Sequence, residues 1–304
     1  MTRFPMQLSA PIKAWPEDTR KRSMQSNSNA VEHPRQRLKV LTNSSEGQFS
    51  PAAWSREGDH LFASAKAMRA SWVVKRRKLL RRIKEHGAWT HGAHMWAELD
   101  GLPKASHLLL GYALEMYLKA GLAKAYWGCT EELFDRDVRK FSHDFKELAK
   151  AVAFDASPGE KGDLKALQRM VLYNARYPVK PTEHQPASRL QTDRMKAVWE
   201  KSEFTRLRHL VLRIKACIAK MDADSTNPAS LSSIGIDDDG FVVYRRGGNL
   251  PPRITYRFST MQRAAGEDNL PALRALAGNA NLTVLESIWD EATFNEDPVA
   301  SPKS

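Results

Sequence analysis

The run KRRKLLRRIK, residues 75 to 84, holds seven cations in ten positions. Lys75, Arg76, Arg77, Lys78, Arg81, Arg82 and Lys84 on one helix would neutralise phosphates without reading sequence, and Trp72 and Trp89 nearby could stack on unpaired bases. The bland reading is a solvated helix that packs Leu79, Leu80 and Ile83. Those three side chains offer too little apolar area to favour an anionic membrane over RNA. Glu115 and Lys119 stand four residues apart in the favourable order, enough for an ion pair worth roughly 0.2–0.5 kcal/mol. The same face, with Tyr112 one turn earlier, could instead position a phosphate or a base. His86, His91, His94 and His107 lack the HExxH spacing, and Gly87 and Gly92 interrupt the helix, so no metal site and no cofactor are expected. Cys129 and Cys217 form no CxxC pair, which argues against a disulfide framework and a structural zinc and fits a reducing compartment.

The elements that must position these residues are mostly helices. Prolines at 5, 11, 16, 34 and 51 and the runs SNSNA and TNSSEGQFS make residues 1 to 55 a tail. A basic helical extension follows over 56 to 90, from an N-cap at Ser55 to a stop at His86-Gly87. Within residues 91 to 223 four helices are expected: about Ala105 to Tyr126, one starting near Ser142 with Asp144 and Glu147 as a capping box, about Asp163 to Arg176, and a last one. That last helix carries Leu207, Val211, Ile214, Ile218 and Met221 in a four-three rhythm, a seam for a bundle or a dimer. Residues 224 to 304 form a mixed appendage, with a two-strand ribbon around DDDG and GGN, a short helix at about Asp268 to Ala277 and a polar tail.

The segments HLLLGYALEMYLKAGLAKAYWG, DRDVRKFSHDFKELAKAV and LQRMVLYNARYPVKP together resemble the HEPN domains, small all-α bundles named for nucleotide binding in higher eukaryotes and prokaryotes. The resemblance covers roughly residues 91 to 223. It implies a mainly α fold, an up-and-down helical bundle, and homodimers that bring two sites near a two-fold axis. Many HEPN members are metal-independent endoribonucleases of toxin or defence type, marked by an arginine followed after four to six residues by a histidine. Arg136 and His143 fit at the upper limit of that spacing, while Arg139 is one residue too close. For such a pair the chemistry is direct. A neutral imidazole takes the proton of a ribose 2′-hydroxyl, the alkoxide attacks the adjacent phosphate, and a guanidinium stabilises the phosphorane. Glu115, Lys119, Arg139, Arg176 and Tyr177 would line the substrate cleft. A toxin of this kind would be held by an antitoxin or another regulatory partner.

Two other readings stay open: a non-catalytic adaptor that binds a nucleotide, a nucleic acid or a protein with His143 only structural, and a plain dimerisation module. The chain of 304 residues carries a net charge of +12. The three segments 1–90, 91–223 and 224–304 carry +11, +5 and −4, so a polyanion should meet the N-terminal third first. Asp237-Asp238-Asp239 and Asp290-Glu291 could fold back on the basic helix as an autoinhibitor. No window is apolar enough to span a membrane and the first thirty residues lack a signal h-region, so the expected address is the cytoplasm.

Overall fold

The computed structural model of the protein describes residues 40–42, 44–87, 93–174, 177–178, 186–279 and 282–297. Most of the expected tail, with Trp89, His91 and Arg176, lies outside the described residues. The chain is mainly helical with a small four-stranded sheet.

Helix α1 (Pro51–His86) starts earlier than its periodicity suggests. Ser50 accepts a hydrogen bond from the Ala53 amide, and Pro51 occupies the first position, where a missing N–H costs nothing. It runs antiparallel to α2 (Ala93–Ala125): Asp59 meets Tyr117 and Trp72 meets Leu99. Gly58 lies directly against the Tyr117 ring. The basic segment is therefore continuous with the helix that covers the bundle.

Gly101-Leu102-Pro103 suggested a helix start, yet α2 passes straight through it. Proline removes the N–H that would have bonded to the carbonyl four residues earlier. That carbonyl, of Leu99, accepts instead from the Trp72 indole N–H at 3.0 Å. Pro103's own carbonyl takes the Ser106 hydroxyl and His107 Nδ1 at 2.8 and 2.9 Å. A tryptophan on another helix repairs the break, which no reading of α2 alone could supply.

Then follow α3 (Glu131–Phe141), capped by Thr130, and α4 (Phe145–Ala151). The cap of α4 is Asp144, which accepts from the Lys146 and Glu147 amides, so this helix opens three residues after Ser142. A capping box of Ser157 and Glu160 starts α5 (Pro158–Arg169), and a π-turn at Met170–Asn174 ends it. Next come α6 (Ala187–Trp199) and α7 (Lys201–Lys220). Leu207, Val211, Ile214 and Ile218 of α7 and Met221 at its end are all 3% exposed or less, inside a core shared with α2. The seam is thus consumed within one chain and is not free to join two. Gly121 of α2 touches Ile218 and Val152, leaving no room for a methyl group. Gly121→Ala should destabilise by about 1–3 kcal/mol. In a thermal melt each kcal/mol lowers Tm by about 2–4 °C for a chain of a few hundred residues.

The appendage is larger than a two-strand ribbon. Strands β1 (Ser230–Ile236), β2 (Gly240–Arg246) and β3 (Arg253–Arg257) pair antiparallel, with Asp237-Asp238-Asp239 turning the first hairpin. Short helices α8 (Thr260–Ala265), α9 (Leu270–Asn279) and α10 (Thr283–Ile288) carry the chain to β4 (Thr293–Glu296), which adds parallel to β3. A parallel neighbour needs such a long crossover, so local periodicity could not announce it. The sheet docks where α2 gives way to α3. Gly128, at φ 91°, lies against Leu231 and Val243, Cys129 Sγ is 2.9 Å from Thr255 Oγ1, and Thr130 donates to buried Asp297 at 2.7 Å. Burial pushes the Cys129 thiol up to about 11, so it is an inert packing group.

Candidate functional site

Three of the sequence-selected residues, Glu115, Lys119 and His143, converge at the turn between α3 and α4. Phe141 closes α3, Asp144 caps α4, and the two residues between them must reverse the chain. Ser142 does so at φ 46°, a region that L-residues avoid at a cost of order 1–3 kcal/mol. The reversal lays His143 over α2, where its Nδ1 is 2.9 Å from Glu115 Oε2. The other oxygen of the same carboxylate holds Lys119 Nζ at 2.7 Å. Glu115 is 3% exposed at its side chain, Lys119 13% and His143 33%. A carboxylate in an ion pair only accepts, so Nδ1 is the ring nitrogen that donates to Glu115. The expected ion pair of Glu115 with Lys119 is present, and the same carboxylate also meets His143.

Other expected residues go elsewhere. Arg136 Nε lies 3.1 Å from Asp137, and its terminal nitrogen reaches the Glu296 carbonyl at 3.4 Å, so its guanidinium ties α3 to β4. Arg139 is exposed and paired with Asp135 at 2.5 Å. Tyr177 is exposed, and its carbonyl accepts from Arg194. The acidic clusters stay with the appendage. Asp237 and Asp239 accept from Ser259 and Thr260 at the start of α8, and Asp290 pairs with Arg274. They cap and brace local elements, so the expected fold-back on the basic helix is corrected.

The basic run does not form one face. Lys75 is paired with Glu98 at 2.5 Å, Arg76 stacks 5.4 Å from the Trp72 ring centroid, and Lys78, Arg81, Arg82 and Lys84 are exposed. At about 100° per residue, seven cations in ten positions must wind around the helix. Buried Arg69, one turn before Trp72, had no signal in the sequence beyond its charge. Its guanidinium donates to the carbonyls of Val198, Trp199 and Glu200 at 2.8–3.0 Å and closes the end of α6. Burial and the neighbouring Arg76 push it down to about 10, still a cation at neutral pH.

Two cavities also escaped the sequence reading. One of about 310 Å³ lies between α3, α4 and the sheet, where Lys140, Lys150 and Arg253 face Asp137 and Glu147. Arg253 stacks 4.3 Å from the Tyr126 ring, whose hydroxyl donates to Asp137 at 2.7 Å. The other, about 230 Å³, is bordered by His107. This histidine is 2% exposed, and burial pushes it down to about 4. Its folded value lies below the unfolded one, so the unfolded chain binds more protons between pH 4 and 6.5, and stability falls as pH drops through that window. The loss amounts to about 3 kcal/mol at full protonation of the unfolded state. Urea titrations at pH 7 and 4.5 should show this slope in the wild type and a flatter one in His107→Leu.

Among the described residues no helix is long and apolar enough to cross a membrane, and no three His, Cys, Asp or Glu side chains converge to hold a metal. The architecture is a helical bundle with a docked sheet, carrying a buried Glu–Lys pair that orients a half-exposed histidine. No family model, curated protein or solved structure matches this chain.

Proposed function

We propose that this chain is a metal-independent endoribonuclease of the HEPN type, acting as a toxin or defence effector, with His143 as its general base. The observation that carries the reading is the 2.9 Å bond from His143 Nδ1 to a carboxylate that is 3% exposed. It makes Nδ1 the donor, leaves Nε2 as the ring nitrogen that can act on a substrate and supports the positive charge that the ring gains when it takes a proton. The strained backbone at Ser142 supports the same reading, because such strain recurs where a side chain must be held in place.

In the reaction, Nε2 removes the ribose 2′-hydroxyl proton and the 2′-oxygen attacks the adjacent phosphorus. The bond to the 5′-oxygen breaks, and that oxygen takes a proton from the imidazolium or from water. The products are a 2′,3′-cyclic phosphate and a 5′-hydroxyl. Arg136 is engaged by Asp137 and the Glu296 carbonyl, and Lys119, 13% exposed, is held on the carboxylate that orients His143, so Lys119 acts by fixing that carboxylate. The competing reading is a non-catalytic adaptor in which the burial of Glu115 and Lys119 makes this cluster a clamp between α2 and the α3–α4 turn. Incubation with total RNA in excess chelator, followed by mapping of product ends, separates the two: cyclic phosphate ends support the nuclease, and intact RNA with binding retained supports the adaptor.

A further inference from the structure

The elbow between α6 and α7 brings Lys196, Trp199 and Lys201 against Arg76, Arg77 and Leu80 of α1, around a groove of about 560 Å³. We infer that this groove binds the phosphodiester backbone of a single-stranded nucleic acid, as a second contact remote from His143. This deepens the proposed function and rests on it only for the identity of the strand as substrate.

The groove is rich in donors. Trp199 Nε1 is buried with no hydrogen-bond partner among the described residues, and Leu80 and Trp199 give the groove apolar surface beside the cations. Arg69 and Arg76 both lie over the Trp72 ring, at 4.2 and 5.4 Å from its centroid, and burial, with Arg76 beside it, holds the Arg69 pKa below its ordinary value. Glu200 is the one acidic residue that borders the groove among the described residues, and it accepts from Ser202. Arg76, Arg77, Lys196 and Lys201 gathered around one groove suit a bound anion. A flat apolar element beside phosphate binders suits unpaired bases better than a duplex.

The position of the groove adds a length rule. Trp72, at its floor, bonds to Leu99 of α2. Glu115 lies sixteen residues further along that helix, roughly 24 Å at 1.5 Å per residue. A stacked strand rising about 3.4 Å per nucleotide spans this in about seven nucleotides. A stacked strand must be about this long to touch the groove and His143 together.

The test uses the full chain and fluorescein-labelled oligothymidylate of 12 and 4 nucleotides, which lacks the 2′-hydroxyl and so measures binding alone. Lys196→Glu with Lys201→Glu should weaken the 12-mer by at least about tenfold and reduce the salt slope by about 1.4, for two phosphates on a single strand. The 4-mer should bind weakly to both proteins. Arg56→Glu with Lys220→Glu, both exposed, makes the same charge change about 30 Å along α1 from Arg76 and about 28 Å along α7 from Lys201, and should cost less than about threefold. Equal losses from the two pairs would overturn the groove in favour of diffuse charge. So would no loss from the lysine pair, or a loss confined to phosphatidylserine vesicles. Circular dichroism melts check that all variants fold. Cleavage of the dinucleotide UpU, too short to reach the groove, should be unchanged by the lysine pair. If no RNA is cleaved while the lysine effect on the 12-mer remains, the nuclease reading fails and the groove stands.

Discussion

His143→Ala should lose cleavage of single-stranded RNA by roughly 10²–10⁴-fold while keeping its affinity for the strand, because general base catalysis is worth about that much. The side chain is one-third exposed, and its removal opens no core cavity, so the fold should survive. Cyclic phosphate ends made by the wild type in excess chelator and missing from the variant are the signature. Arg136→Ala provides the contrast. Its guanidinium is shared between Asp137 and the Glu296 carbonyl, so its loss should cost less than about tenfold in rate and appear mainly as a looser junction with β4, a loss typical of a half-exposed ion pair. Equal losses in the two variants would restore Arg136 to the reacting phosphate. Unchanged cleavage by His143→Ala would sink the proposed site altogether.

Glu115→Ala should be among the most destabilising single changes in the chain, at about 3–5 kcal/mol. It leaves the Lys119 ammonium, 13% exposed, and the His143 N–H without their common acceptor. Breaking a buried pair costs more than the pair is worth, since the remaining charge has been taken out of water. Glu115→Ala with Lys119→Met should therefore recover most of the loss, and a urea double-mutant cycle measures the coupling. Recovery would show that the pair acts as a unit whatever the chain catalyses. A loss below about 1 kcal/mol would mean that Lys119 swings out to solvent, as a surface pair does, and that Glu115 does not hold His143 rigidly.

Helix by helix, the sequence was most legible where local rules act alone. The α7 rhythm, the Asp144 cap, the stop at Gly87 and the DDDG turn were all readable from neighbouring residues. It failed where a distant partner decides. Pro103 looked like a helix start because the Trp72 indole that takes up the Leu99 carbonyl lies 27 residues away. The fourth strand was missed because parallel pairing to β3 depends on the crossover through α8, α9 and α10. The Asp clusters looked free to meet the basic helix because their Ser259, Thr260 and Arg274 partners are set by the folded appendage.

The same division runs through the site. Residue types and spacing on one chain segment were enough for the i, i+4 pair of Glu115 and Lys119, for the charge of the 75–84 run, and for His143 as the imidazole worth watching. Side-chain direction depends on backbone angles and on which helix faces which. Only the folded chain could turn His143 onto Glu115, draw Arg136 away to β4, divide the basic run around its helix and bring Lys196 and Lys201 to Arg76. Local sequence encodes helix periodicity and charge because both act over a few residues. Contacts between residues tens of positions apart exist only once the core has closed around them.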